Sequence, residues 1–178
     1  MLFRSLRLAC LAPSVGHAQP WRFIVNESAE RRSLIAANYA SANQHALDGY
    51  KGEQKQHYAK LKLSGLQEAP VQIGVLCDEA TAHGHGLGRM TMPEMLCYSV
   101  VCAVHTFWLA ARLRGLGVGW ISILDPAAAL AALSAPENHT LVAYLCVGWP
   151  QAESQMPELE REGWQQRLDH AQHIWTLR

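Results

Sequence analysis

Two short segments carry residue types whose spacing suits work on a planar polar ring. Residues Ala12 to Trp21 read APSVGHAQPW, with Pro13 and Gly16 bracketing Ser14 in a tight irregular turn before Gln19-Pro20-Trp21. Such a turn offers backbone N–H groups, a hydroxyl and an amide for edge-on hydrogen bonding to a heterocycle. It equally suits a plain connector in which Ser14 is a cap, because Ser and Pro are common in any turn. Residues Gly115 to Asp125 read GLGVGWISILD. Glycines at alternate positions leave one side of the backbone bare, so a flat ligand or a second chain can approach closely. Ser122 follows among Ile121, Ile123 and Leu124. Its hydroxyl suits a bond to a neighbouring strand or a donor aimed at a reacting group, and residue type does not separate the two.

Other chemistry finds less footing. His83 to Arg89 (HGHGLGR) has Arg89 where a dinucleotide fingerprint counted from Gly84 needs its last glycine. The His83-x-His85 pair has no third ligand at matching spacing, so a solvated loop pair is expected and no metal. GxSxG, HExxH and P-loop patterns are absent. The five cysteines are scattered without a CxxC pair, which argues against a disulfide framework or zinc knuckle and for buried thiols.

These segments need a scaffold. Leu2 to Leu11 has helical apolar spacing ended by Pro13, Trp21 to Val25 (WRFIV) reads as a strand and Glu30 to His45 as a helix. Asp48 to Lys62 is the most polar stretch and is expected to be a mobile or surface-lying segment. Val71 to Cys77 (VQIGVLC) predicts a strand covered on both faces. Thr91-x-x-Glu94 resembles a capping box opening a helix that runs to about Arg112, with Gly115 as its C-terminal cap. Apolar residues cover most of that helix, which places it centrally or in a subunit interface. Val118 to Leu124 and Leu141 to Val147 predict strands around a helix at Pro126 to Leu133, and the tail from Trp149 is polar. The expectation is one α+β domain over residues 1–178, a central mixed sheet flanked by helices.

Composition narrows the function classes. Of 178 residues, 49% are hydrophobic and 17% charged, ample for a core. Fifteen Lys+Arg balance fifteen Asp+Glu, leaving none of the bulk positive charge that counterion release on nucleic acid requires. Met95 to Leu113 is interrupted by Ser99, His105, Thr106 and Arg112, so no membrane span is expected. Arg4 and Arg7 interrupt the first apolar run, unlike a secretory signal, and a cytoplasmic location is the expectation.

Together, APSVGxxQPWRF, LKLxGLQEAPVQIGVLCD, GLGRMTMPEM, RGLGVGWISIL, AYLCVGWP and PELEREGW resemble the 5,6-dimethylbenzimidazole synthases, a flavin-consuming branch of the nitroreductase superfamily. The likeness runs from about Arg4 to Trp175. It implies a nitroreductase-like fold and a homodimer holding FMN at the subunit interface, with the long central helix in that interface. It implies that FMN, reduced by NAD(P)H or by a separate flavin reductase, reacts with O2. The products are 5,6-dimethylbenzimidazole, the lower ligand of vitamin B12, and erythrose 4-phosphate. Such a site must exclude bulk water and competing electron acceptors.

By the same resemblance Ser14, Gly16, His17 and Gln19 line the flavin, and Leu61, with Ser64 nearby, meets its pyrimidine edge. Trp120, Ile121 and Ser122 cover a ring face, with Ser122 as the catalytic hydrogen-bonding group. Arg161 or Arg167 reaches the phosphate. The family's earlier segment, with its phosphate-binding arginines and a catalytic aspartate, has no counterpart before Met1-Leu2-Phe3-Arg4, and a longer natural chain is expected. The alternatives are an NAD(P)H-dependent nitroreductase or quinone reductase, and a flavin-binding module without turnover.

Overall fold

The computed structural model describes residues 2–61, 65–169 and 173. Strands β1 (Trp21–Val25), β2 (Val71–Asp78), β3 (Gly117–Ile121) and β4 (His139–Gly148) form one sheet in the order β1-β2-β4-β3. Every hydrogen-bonded pair is antiparallel, not mixed as the sequence suggested. The reason is topological. β2 and β3 do run the same way, joined by a long helix, but β4 inserts between them and pairs antiparallel with both.

Pleat alternation splits the core in two. Ile73, Val75 and Cys77 of β2 and Ala143, Leu145 and Val147 of β4 point to one face, where α1 (Leu2–Ala9) and α4 (Met95–Arg112) cover them. Tyr144 and Cys146 point to the other face, toward α2 (Ala29–Gly49) and α5 (Pro126–Ala132). Both faces of β2 are therefore buried, as its unbroken apolar run predicts.

Helix α4 is the keystone. Leu96, Val100, Ala103, Val104, Phe107 and Ala111 are buried. By length and composition α4 could cross a membrane, but eight of its residues are buried inside the protein. The opposite face is apolar and open: Tyr98, Val101 and Leu109 are exposed. Gly115, at φ +71°, ends the helix as expected, with Leu116 N–H donating back to Ala111 O at 3.0 Å.

Three expectations need correction. The capping box does not form: Glu94 is itself the N-cap and makes no side-chain cap bond, because a turn at Met92–Pro93 delays the helix. The polar stretch from Asp48 does lie at the surface, but as regular helix: it completes α2 and forms the mostly exposed α3 (Gly52–Lys60). Of the five thiols, Cys77 and Cys146 are buried and Cys97 half-buried, while Cys10, in the turn after α1, and Cys102, on the outer side of α4, are exposed. The polar tail holds one short helix, α6 (Glu158–Arg161).

Candidate functional site

The turn before β1 is strained and tied down. Gly16, His17 and Gln19 have φ of +53°, +58° and +47°, and the latter two are left-handed without being glycine. Such conformations cost on the order of 1–3 kcal/mol each and cluster at functional sites. Three of the turn's N–H groups, which the sequence had suggested as free, are spent within it. His17 N–H donates to Ser14 O at 3.1 Å, Ala18 N–H to Val15 O at 2.9 Å, and Gln19 N–H to Ser14 Oγ at 3.2 Å. Ser14 is therefore not a helix-capping acceptor. Its oxygen closes the turn, and its O–H remains to donate outward. Gln19 Nε2 donates to His17 Nε2 at 2.8 Å, and Arg22 Nη1 holds the Gln19 carbonyl at 3.2 Å.

Two supports hold this turn. Val15 N–H donates to Ser99 Oγ at 3.0 Å, and Ser99 O–H donates to Met95 O at 2.6 Å, pinning the turn to α4. From the other side comes the glycine-rich loop. A Cβ on Gly84 would lie 2.6 Å from Gly16 O, and one on Gly16 would lie 2.6 Å from Leu87 O. The two loops interlock backbone to backbone, which accounts for the glycines in HGHGLGR without any nucleotide.

The second predicted segment lies across the sheet. Trp120, Ile121 and Ser122 line a cavity of about 210 Å³ at the end of β3 with Leu141, Val142, Ala143 and Tyr144. Trp120 pairs with Leu145 and Ile121 with Tyr144, so their side chains leave opposite faces. Ser122 is exposed, and its hydroxyl has no hydrogen-bond partner among the described residues. β1 and β3 are opposite edges of the sheet, three strand spacings or about 14 Å apart. One chain therefore does not bring the Ser14–Gln19 turn to Ser122.

A third group sits near α3. Leu61 caps that helix, its N–H donating to Tyr58 O at 3.0 Å. Ser64 lies outside the described residues. Arg161 closes α6 and Arg167 follows in an irregular stretch; both are exposed, with no ion pair or hydrogen-bonded side-chain partner among the described residues.

Sequence reasoning missed a buried polar relay beneath the third group. Asn26 Nδ2 donates to the Tyr144 hydroxyl at 2.9 Å, which donates to Gln72 Oε1 at 2.6 Å. Gln72 Nε2 donates to Leu66 O at 2.6 Å, fixing the chain just after the Leu61 segment. Burial raises the Tyr144 hydroxyl above its ordinary pKa, so it stays a protonated donor. Gln72 inside an apolar strand was the available signal, since a buried amide demands partners.

The model of the nitroreductase family matches residues 2–149. A 5,6-dimethylbenzimidazole synthase of Rhodospirillum rubrum is 55% identical over 167 residues, 94% of this chain and 79% of the relative. One from Rhodobacter capsulatus is 46% identical over 158 residues, 89% of this chain and 76% of the relative. Among solved structures, iodotyrosine deiodinase bound to FMN and 3-iodo-L-tyrosine superposes with a TM-score of 0.71 at 24% identity, covering 88% of this chain and 82% of that one. A BluB-like flavoprotein from Clostridium difficile 630 gives 0.69 at 19% identity, covering 99% and 86%. At these identities the two structures show a shared fold.

Proposed function

The chain belongs to the nitroreductase family and, within it, to the 5,6-dimethylbenzimidazole synthases; from this we propose that it converts reduced FMN and O2 to 5,6-dimethylbenzimidazole and erythrose 4-phosphate. It is an oxidoreductase. The near-full-length kinship carries the reading, and Ser122 gives it a residue. Electrons reach FMN from NAD(P)H, directly or through a separate flavin reductase.

The donor set suits FMN. The Ser14 O–H, the Gln19 amide and the Ser122 hydroxyl, the last without a hydrogen-bond partner among the described residues, match the polar atoms of an isoalloxazine, and the guanidinium of Arg161 or Arg167, likewise without a side-chain partner among them, matches its phosphate. Leu61 offers backbone to the pyrimidine edge. When bound and reduced, the flavin supplies the electrons for O2 and the carbon framework of the product. The chain's own groups bind, orient and keep water out. The Ser14 oxygen accepts from Gln19 N–H, and its O–H is still available to donate. Ser122 is a hydrogen-bond donor at the reacting ring, unencumbered by the fold.

The site is shared between two copies. Its two arms stand on opposite edges of the sheet, and the exposed Tyr98, Val101 and Leu109 of α4 offer an apolar face for a second chain. In this arrangement the partner subunit covers Ser122, which a single chain leaves open, and dries the site.

The test is direct. The protein is incubated with FMN, a flavin reductant and O2, and products are followed by mass spectrometry. Appearance of 5,6-dimethylbenzimidazole, largely lost in Ser122→Ala with FMN affinity retained, supports the reading. Bleached flavin without benzimidazole, or sustained NAD(P)H oxidation coupled to a nitroaromatic, overturns it.

A further inference from the structure

Two residues hold three consecutive carbonyls at the entry to β1. Arg22 Nη1 donates to Gln19 O at 3.2 Å and to Trp21 O at 2.9 Å. Between them, Pro20 O accepts from Asp78 N–H at 2.8 Å. The two holders are joined to each other, with Arg22 Nη2 lying 2.7 Å from Asp78 Oδ2. Asp78 is fixed in turn at the end of β2: its side chain is 17% exposed, and its Oδ1 accepts from Ala80 N–H at 3.2 Å. Antiparallel pairing brings this brace together, since Trp21 lies opposite Cys77 and Arg22 opposite Leu76.

What the brace holds is an unfavourable backbone. A residue before proline prefers an extended conformation. Gln19 precedes Pro20 yet has φ +47°, in the left-handed region that a side chain disfavours. Such a conformation persists only where its surroundings over-determine it. The side chain is aimed as well: Gln19 Nε2 donates to His17 Nε2 at 2.8 Å, which leaves Oε1, without a hydrogen-bond partner among the described residues, as an acceptor. We propose that Arg22 is a positioning residue of the flavin site: anchored on Asp78, it locks the left-handed Gln19 and so sets the Gln19 amide toward an N–H or hydroxyl of the flavin. Its own part is indirect, because Nη1 donates to two carbonyls and Nη2 to the carboxylate. The inference rests on the flavin reading above and goes beyond it by naming what sets the geometry of the turn.

The experiment is a flavin-fluorescence titration of the full chain with FMN and with riboflavin, which lacks the phosphate. Arg22→Lys keeps a cation for Asp78 but cannot grip both carbonyls as the planar fork does. It is expected to weaken both flavins by the same factor, about tenfold, with a urea midpoint close to the parent's, because an exposed ion pair adds little to folding stability. Asp78→Asn removes the charged anchor and should weaken both flavins equally, by a smaller factor. Gln19→Gly removes the amide and accepts the left-handed backbone without help. Arg22→Lys/Gln19→Gly should therefore bind no more weakly than Gln19→Gly alone. Three results overturn the proposal: affinities within about twofold of the parent in Arg22→Lys, full additivity with Gln19→Gly, or a loss confined to FMN, which would put the guanidinium on the phosphate. Binding of neither flavin by the unmodified protein overturns the flavin reading itself, whereas parental binding that Arg22→Lys leaves untouched sinks the brace alone. The Arg22 side chain is 46% exposed, and a circular dichroism melt confirms that each variant is folded; should Arg22→Lys not fold, Asp78→Asn is judged by the same three results.

Discussion

The Tyr144 hydroxyl donates to Gln72 Oε1 at 2.6 Å across two paired strands while accepting from Asn26 Nδ2 at 2.9 Å. All three residues are at most 2% exposed, and Asn26 Oδ1 already lacks a partner. Tyr144→Phe keeps the ring and orphans two further buried polar atoms. It should lower stability by about 2–6 kcal/mol, since each unsatisfied group costs roughly 1–3 kcal/mol. Urea unfolding measures this, and a loss below about 0.5 kcal/mol would mean that the relay is not formed in solution.

Opposite sheet edges for the Ser14–Gln19 turn and Ser122 make a specific demand on a shared site. Gln19→Ala and Ser122→Ala should each lose most product formation. A mixed dimer of the two pairs the intact turn of one chain with the intact serine of the other. Co-refolding equal amounts should therefore recover about a quarter of wild-type activity, because half the dimers are mixed and each has one whole site. If one chain builds its own site, mixing recovers nothing.

Interlocked glycines make another demand. Gly84 has φ +82°, and a Cβ there would lie 2.6 Å from Gly16 O and 3.1 Å from Ala18 Cβ. Gly84→Ala should cost about 2 kcal/mol or more through strain and displacement. It should also weaken FMN, because the displaced backbone is that of the candidate flavin turn. Gly49→Ala, where a Cβ meets nothing within 4 Å, is the control and should be near neutral. Equal thermal shifts for the two variants would contradict the interlock.

Much of this architecture was legible because local chemistry and tertiary role agree. WRFIV is a strand by composition and is β1 from Trp21 to Val25; Gly115 ends α4 because the chain there needs a left-handed residue. What stayed hidden was relational. A helix as polar as α3 has no apolar stripe to betray it and depends on Tyr58 meeting Tyr50 and Trp164, far away in sequence. The capping motif was present, but the turn at Met92–Pro93 started the helix beyond it. The candidate site divided in the same way. Its residue types stand out in the one-dimensional pattern, whereas their placement on opposite edges follows from β4 inserting beside β3, a long-range pairing.

The thiol of Cys146 yields a prediction in alkaline solution. It is 4% exposed on β4, packed under Gly65, and burial pushes its pKa from the ordinary 9.0 up to about 11, with Glu68 adding to the rise and Arg32 opposing it. Burial also raises the Cys77 thiol. A raised pKa means that the folded protein holds the proton more tightly than the unfolded chain does. The associated stability is fully present below about pH 9 and is lost as pH climbs toward about 11, where the unfolded chain ionises first. Urea midpoints should therefore fall between about pH 8 and about pH 10.5, and Cys146→Ala should flatten part of that slope after allowance for its lower starting stability. Arg32 opposes the shift through its charge, and its guanidinium also binds Asn26 O at 2.8 Å and Pro70 O at 2.9 Å, so Arg32→Met should steepen the alkaline loss as well as lower the midpoint. A slope identical in Cys146→Ala and the parent would show that this thiol is solvated and that the packing of β4 against the 65–68 turn is looser than described.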